Sequence, residues 1–249
     1  MTVDNLSYEV FPTRKEMGRK AAADVAATIK NLLETKPTIG MIFAAAPSQN
    51  EFLEALIADK TIEWNRINAF HMDEYIGLDK NAPQGFGNFL RDRIFGLVPF
   101  KSVSYIPNGK TDTDKAIADY TDKIKATGID ITCMGIGENA HIAFNDPHVA
   151  KFDDSEMMKV VDLDDKCRNQ QVHDGCFKSI DDVPTQAFTL TIPVLMSAPN
   201  VFCIVPAKTK AQAVYNTING EISEKYPSTV MRTRPGCRMY LDADSASQL

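Results

Sequence analysis

The residues best suited to chemistry in this sequence lie close together after an apolar run, residues 129–134, that is typical of a buried strand. Glu138, Asn139, His141 and Asp146 place two carboxylates, an amide and an imidazole within nine residues. An imidazole beside carboxylates can move protons at neutral pH, because its unperturbed pKa lies near ~6.5. The segment therefore predicts a catalytic loop; the simpler alternative is a buried histidine bonded to backbone.

A second acidic pair, Asp73 and Glu74, follows another apolar run, residues 67–72, and Glu74 is also a candidate to bind substrate. Adjacent carboxylates at the end of a strand repel each other, so one of them can have a raised pKa and serve as a base toward a carbon acid. The same pair also fits a turn of solvated acids, and the two interpretations are equally supported by the sequence.

Several other positions could bind a substrate. Ala45, Ala46 and Ser48 lie between a strand and a helix, where Ser48 is a predicted N-cap and free N–H groups could hold an anion. A helix cap without a ligand is the simpler interpretation of that turn. Gly137 permits close backbone approach, and Lys210 could add a positive charge, although most lysines at such positions are only solvated.

The composition limits the function further. The 249 residues are 44% hydrophobic and 24% charged, with a net charge of −6, which indicates a globular protein without a broad nucleic-acid or anionic-membrane surface. Five cysteines without CxxC spacing indicate neither a disulfide framework nor a zinc site. Without an apolar leader near residues 1–11 or a run of about 18 apolar residues, we expect a cytoplasmic protein.

Helical and strand patterns alternate along the chain and predict a single α/β domain over residues 1–249. The predicted helices are 14–34, 52–57, 86–94, 114–126, 166–177 and 208–218, and the predicted strands are 38–44, 67–72, 129–134, 157–161, 187–192, 200–205 and 238–242. This order predicts a three-layer, Rossmann-like, mostly parallel sheet with helices on both faces. Right-handed crossovers would bring the loops 45–49, 73–84 and 135–147 to one edge of that sheet.

The motifs together resemble the glucosamine-6-phosphate deaminase/isomerase family, to which the 6-phosphogluconolactonases are more distantly related. The resemblance covers nearly the whole chain. It is most specific at residues 72–78, 141–147, 183–184 and 241–244. The sequence Met-Asp-Glu-Tyr at 72–75 and Phe-Asn-Asp-Pro at 144–147 resembles the deaminase branch more than the lactonase branch.

The resemblance implies isomerisation of a hexosamine 6-phosphate to a ketose phosphate with loss of ammonia, without a metal or organic cofactor. Asp73 matches the base that moves a proton from C2 to C1, His141 the histidine that assists ring opening, and Lys210 a phosphate-binding lysine. Asp146 stands where the deaminases usually have Glu. The implied partner is a small sugar phosphate, and homo-oligomers are frequent in the family.

Three positions depart from the family pattern. Asn139 replaces an Asp two residues before the histidine, and Glu138 is a candidate to compensate for its charge. A Thr-Gly-Gly-Thr phosphate loop is replaced by Ala-Ala-Pro-Ser at 45–48. The phosphate-binding arginine aligns without gaps with Asp174, which leaves Arg168 as its nearest replacement. A lactonase and a sugar-phosphate-binding paralogue without turnover therefore remain alternative predictions.

Overall fold

Eight strands form the central sheet of the protein, a computed structural model that describes residues 1–109 and 111–249. The strands of this sheet are β1 (Thr2–Val3), β2 (Leu6–Phe11), β3 (Ile39–Phe43), β4 (Ile67–His71), β6 (Ser102–Ser104), β7 (Ile131–Met134), β10 (Asn200–Val205) and β11 (Cys237–Asp242). Their order is β1-β2-β11-β10-β7-β3-β4-β6, and every neighbouring pair is parallel except β1 with β2. The predicted parallel α/β sheet is confirmed.

The helices are α1 (Arg14–Thr35), α2 (Asn50–Ala58), α3 (Phe86–Leu90), α4 (Thr113–Thr127), α5 (Asp165–His173), α6 (Ile192–Leu195) and α7 (Ala211–Asn219), and a π-helical turn, Arg91–Phe95, extends α3. Alternate side chains of the strands enter two separate apolar clusters. Phe43 packs with Val25 of α1, whereas its neighbour Ile42 belongs to the cluster of Ile124 of α4 and Val214 of α7. Because successive strand residues face opposite ways, helices cover both faces of the sheet.

A second, three-stranded antiparallel sheet corrects part of the prediction. It consists of β5 (Asp73–Tyr75), β9 (Gln186–Leu190) and β8 (Met158–Asp162), in that order. Asp73–Tyr75 was predicted as loop, and the strands at 157–161 and 187–192 as members of the parallel sheet. Period-2 patterns identify strands but not their partners, so these short segments were assigned to the wrong sheet.

The start of α2 also differs from its prediction. Residues Pro47–Gln49 form one 3-10 turn, and α2 begins at Asn50 with Gln49 as an N-cap that makes no side-chain capping bond. Ser48 is therefore not a helix cap. Its hydroxyl instead accepts a hydrogen bond from Gln49 Nε2 at 3.1 Å. None of the helices in the described ranges is both long and apolar enough to span a membrane.

Candidate active site

The candidate site lies between β3 and β7, where the strand order of the sheet reverses. From β3 the chain adds β4 and β6 on one side, and from β7 it adds β10 and β11 on the other. Ligand crevices in open α/β sheets form at such a switch point, outside the carboxyl ends of the strands. A small cavity of about 60 Å³, partly open to solvent, lies there.

The cavity brings together most of the predicted site. Asp73, which follows β4, and His141, which follows β7, both line it. The turn after β3 contributes Ala45, Ala46 and Ser48, the loop after β7 contributes Gly137, and the segment after β10 contributes Lys210. The predicted meeting of three strand-end loops at one edge is thus confirmed, and β10 supplies a fourth.

His141 and Asp146 form a buried pair. Nδ1 of the imidazole lies 2.9 Å from Oδ1 of Asp146, although the two are not aligned as a straight hydrogen bond. Burial by itself would raise the pKa of Asp146, but the charge of nearby His141 and the hydrogen bond from Asn139 outweigh it and bring this pKa below its usual value. Asp146 therefore remains an anion that can stabilise a protonated imidazole.

Asn139 holds this pair in place rather than contacting the imidazole. Its Nδ2 donates to Asp146 Oδ1 at 2.9 Å, and its Oδ1 accepts from the backbone N–H of His141 at 3.1 Å. The negative charge that Asn139 lacks is thus supplied beside the ring by Asp146. Glu138 does not compensate as predicted, because its carboxylate faces His173 at 3.5 Å and does not line the cavity.

The loop after β7 has a constrained backbone. Ala140 and Ala143 have positive φ angles of 68° and 51°, a left-handed conformation that costs a non-glycine residue about 1–2 kcal/mol. Gly137 has another constraint, since the imidazole of His141 packs directly on it. A Cβ at position 137 would lie 2.1–2.3 Å from three atoms of that ring. The close approach predicted for Gly137 is therefore toward His141.

Asp73 is a buried carboxylate on the cavity wall. Burial raises the pKa of Asp73 well above its usual value, and the charge of Glu74 raises it further. His71 fixes the backbone here, because its Nδ1 lies 2.9 Å from the carbonyl of Asp73 and its Nε2 accepts the N–H of Ile106 at 2.9 Å. A carboxylate with a raised pKa suits proton abstraction from carbon.

Glu74 was predicted to bind substrate, but its carboxylate is occupied by the protein. It accepts hydrogen bonds from the backbone N–H groups of Tyr75, Phe86 and Gly87 at 2.9, 3.0 and 2.8 Å. Burial raises its pKa to about 7 in spite of these three donors. Glu74 therefore anchors the N-terminus of α3, which presents Phe86 to the cavity.

Lys210 enters the cavity as predicted, whereas Arg168 does not. Lys210 is 4% exposed, and its Nζ has no hydrogen-bond partner among the residues that the structure describes. The Arg168 guanidinium donates instead to the carbonyls of Ile180 and Val183 at 2.6 and 3.1 Å. Those bonds attach the segment after α5, so Arg168 has a structural position.

Three glutamines that were not predicted also line the cavity: Gln49, Gln170 and Gln171. All three are at most 7% exposed. An amide side chain gives little chemical signal in a sequence, but three buried glutamines are unusual, because Gln is mostly an exposed residue. They could be found only once the facing surfaces of α2 and α5 were known.

Two clusters of described residues offer possible metal ligands within 4.8 Å of one another: His141, Asp146 and Cys167, and Asp146, His148 and Asp164. In the first cluster the nitrogen of His141 and the oxygen of Asp146 are 2.9 Å apart. Ligand atoms on a tetrahedral zinc ion lie about 3.3 Å apart at ordinary bond lengths. The separation of this pair is therefore shorter than two ligands of a shared tetrahedral ion require, and it suits an ion pair.

Comparison with known proteins agrees with this geometry. The chain is 31% identical over 243 residues to glucosamine-6-phosphate deaminase of Mycoplasma mycoides subsp. mycoides SC, with 96% of each protein covered. It is 32% identical over 245 residues to the deaminase of Clostridium novyi, covering 96% of this chain and 98% of that protein.

Solved structures agree as well. A monomeric glucosamine-6-phosphate deaminase superimposes with a TM-score of 0.88 at 26% identity, over 98% of this chain and 100% of that one. A 6-phosphogluconolactonase from Thermotoga maritima shares the fold, with a TM-score of 0.76 at 17% identity over 95% of this chain and 98% of its own. The sequence model described as glucosamine-6-phosphate isomerases/6-phosphogluconolactonase matches residues 12–239. The chain therefore belongs to this family.

Proposed function

We propose that the protein is an enzyme that converts a hexosamine 6-phosphate, with water, into a ketose phosphate and ammonia. The observation that carries the proposal is the shared cavity of Asp73, His141 and Lys210, three groups that come from the ends of different strands. Two relatives that are 31% and 32% identical over nearly the whole chain are named glucosamine-6-phosphate deaminase, which supports the same substrate class here.

In this proposal Asp73 is the base that removes the proton from C2 of the open-chain aminosugar. The same carboxyl group returns a proton to C1, which converts the enolamine into an imine at C2. Water then adds to that carbon, and the nitrogen leaves as ammonia. Proton transfer accounts for each of these steps, and positioned acid–base groups typically contribute about 10²–10⁴-fold in rate.

His141 acts before this step by moving a proton during opening of the pyranose ring. The nearby Asp146 carboxylate stabilises the imidazolium that forms, and Asn139 keeps both groups in position. Lys210 binds the anionic group of the sugar, because its buried ammonium otherwise has no partner within the described chain. A cytoplasmic location is part of the proposal, since sugar phosphates are intracellular metabolites.

The replacement Asp73→Asn tests the role of the base. We expect ammonia release from glucosamine 6-phosphate to fall by about 10²–10⁴-fold, with the fold retained by circular dichroism. The exposed Asp122→Asn is the matched control and should keep wild-type activity. Ammonia release by Asp73→Asn near the wild-type rate would contradict the assignment. Hydrolysis of a 6-phosphosugar lactone without ammonia release would favour the lactonase alternative instead.

A further inference from the structure

The positive charge available to a ligand in the cavity is small. Apart from His141, Lys210 is the only cationic side chain among the described residues that line it. Burial lowers the pKa of Lys210, while the negative charges of Asp174 and Glu138 raise it, so two carboxylates already act on this ammonium. A ligand with two negative charges would meet one buried cation and the repulsion of both acids.

Apart from the carboxyl group of Asp73, the other polar groups of the cavity are neutral. Gln49 donates to Ser48 Oγ and to the carbonyl of Ile204. Gln170 accepts the N–H of Glu138, and its Nε2 lies 3.4 Å from Asp174. Gln171 is 7% exposed and, within the part of the chain that the structure describes, makes no side-chain hydrogen bond. Its amide is thus available to a ligand.

We propose that this cavity selects a singly charged anionic group and that Gln171 is the specificity-determining residue. The inference rests on the proposed function, because it concerns the anionic end of the same substrate. Two groups have the required chemistry: the monoanion of a phosphate monoester and a sugar carboxylate. A neutral amide at position 171 gives hydrogen bonds to either group without the second charge that a phosphate dianion needs.

The pH dependence of binding tests this inference. A phosphate monoester loses its second proton with a pKa of about 6. If only the monoanion binds, the Kd of glucosamine 6-phosphate should rise about 25-fold from pH 5.5 to 7.5, because the monoanion fraction falls by that factor. Calorimetry on Asp73→Asn measures this Kd without turnover, and the KM of the wild-type enzyme should follow the same course while kcat does not.

The variant Gln171→Arg supplies the missing charge in a geometry suited to two phosphate oxygens. We expect it to bind glucosamine 6-phosphate more tightly at pH 7.5 and to flatten the pH dependence of Kd. The matched control is Gln212→Arg, which makes the same change on the exposed side of α7. The inference is overturned if the Kd of Asp73→Asn, with or without the control substitution Gln212→Arg, does not change with pH. It is also overturned if Gln171→Arg does not bind glucosamine 6-phosphate more tightly at pH 7.5.

A carboxylate sugar separates the two possible sources of the charge. A 2-amino-2-deoxyhexuronate carries one negative charge throughout pH 5.5–7.5. Tighter binding of this sugar than of the phosphate ester at pH 7.5 identifies the carboxylate, whereas tighter binding of the ester at pH 5.5 identifies the phosphate monoanion. Equal binding of glucosamine, which lacks the anionic group, overturns the inference. Absence of ammonia release from every sugar would instead refute the proposed function, because the calorimetric result does not depend on turnover.

Discussion

Gly137 and His141 are four residues apart in sequence but in direct contact in the structure. The imidazole occupies the space in which any side chain at position 137 would begin. The glycine is therefore needed for the position of the His141 ring and not for backbone freedom, since its φ is not positive. A sequence reveals the glycine but not what packs on it.

The replacement Gly137→Ala tests this contact. The new methyl group must displace the imidazole, so we expect kcat/KM to fall at least about tenfold, since small misplacements of catalytic groups cost about 10²-fold. Gly109→Ala is the matched control, because a Cβ there meets nothing within 4 Å. Steady-state ammonia release measures both variants, and full activity of Gly137→Ala would contradict the packing argument.

The charge of Glu74 influences the pH at which Asp73 can act. Asp73 must be ionised to remove a proton, and both burial and Glu74 raise its pKa. In Glu74→Gln the neighbouring negative charge is absent, so we expect the acid limb of the kcat/KM profile to move to lower pH. The exposed Glu221→Gln is the control. An acid limb that moves to higher pH, or not at all, would argue against coupling of the two carboxyl groups.

At this scale the sequence predicted the groups with distinctive chemistry and missed those without it. Asp73, His141 and Lys210 lie in the cavity as expected. Arg168 and Gln171 are three residues apart on α5, whose apolar pattern is too weak to indicate which of its faces is buried. Arg168 was therefore predicted because of its positive charge, although Gln171 is the residue that lines the cavity.

At the scale of elements, Asn145 joins the loop after β7 to the antiparallel sheet. Its Nδ2 lies 2.9 Å from the carbonyls of Ile142 and Leu190, and the side chain is fully buried. Thr189 of β9 adds a hydroxyl that accepts the backbone N–H of Phe144. The loop that carries His141 is thus attached to the antiparallel sheet that carries Asp73.

Loss of this connection should lower stability. For Asn145→Ala we expect the free energy of unfolding to fall by about 1–3 kcal/mol, because buried carbonyl groups lose their donor. Asn219→Ala, on the exposed end of α7, should change it by less than about 0.5 kcal/mol. Urea unfolding followed by fluorescence of the single tryptophan measures both; equal effects of the two substitutions would contradict the role of Asn145.

At the scale of the whole molecule, the alternation of helices and strands was enough to predict the parallel sheet and the edge that holds the site. The central strands are apolar runs, which are typical of strands that are buried on both faces of a parallel sheet, so they could be recognised from their residues alone. The antiparallel sheet was missed because Asp73–Tyr75 has only three residues and two of them are acidic. Acidic residues are depleted in strands, and their burial here depends on contacts from distant parts of the chain.

The stability of the whole protein should depend on pH through His71. Burial lowers the pKa of His71 to about 4, whereas in the unfolded chain it stays near 6.5. Between these two pKa values His71 is protonated in the unfolded state but neutral in the folded state. The contribution of His71 to the free energy of unfolding is therefore complete above pH 6.5 and is lost as the pH falls toward 4. Between pH 7 and pH 5 the loss should be about 2 kcal/mol.

The variant His71→Asn isolates this contribution, because the other titrating groups are common to both proteins. Between pH 7 and pH 5 we expect the free energy of unfolding of the wild type to fall by about 2 kcal/mol more than that of the variant. Urea denaturation at both pH values measures it. Parallel pH profiles for the two proteins would show that His71 is not the group responsible.

A single residue, Met72, separates the central sheet from the antiparallel sheet at this point, since β4 ends at His71 and β5 begins at Asp73. Because the connection is one residue long, its length fixes the direction of the Asp73 carboxyl group. Successive strand residues point to opposite faces, and one inserted residue would turn this carboxyl group away from the cavity. Alanine substitution at position 72 keeps that parity, whereas a single-residue insertion or deletion reverses it, so we expect a change of length here to disrupt the cavity more than a change of side chain.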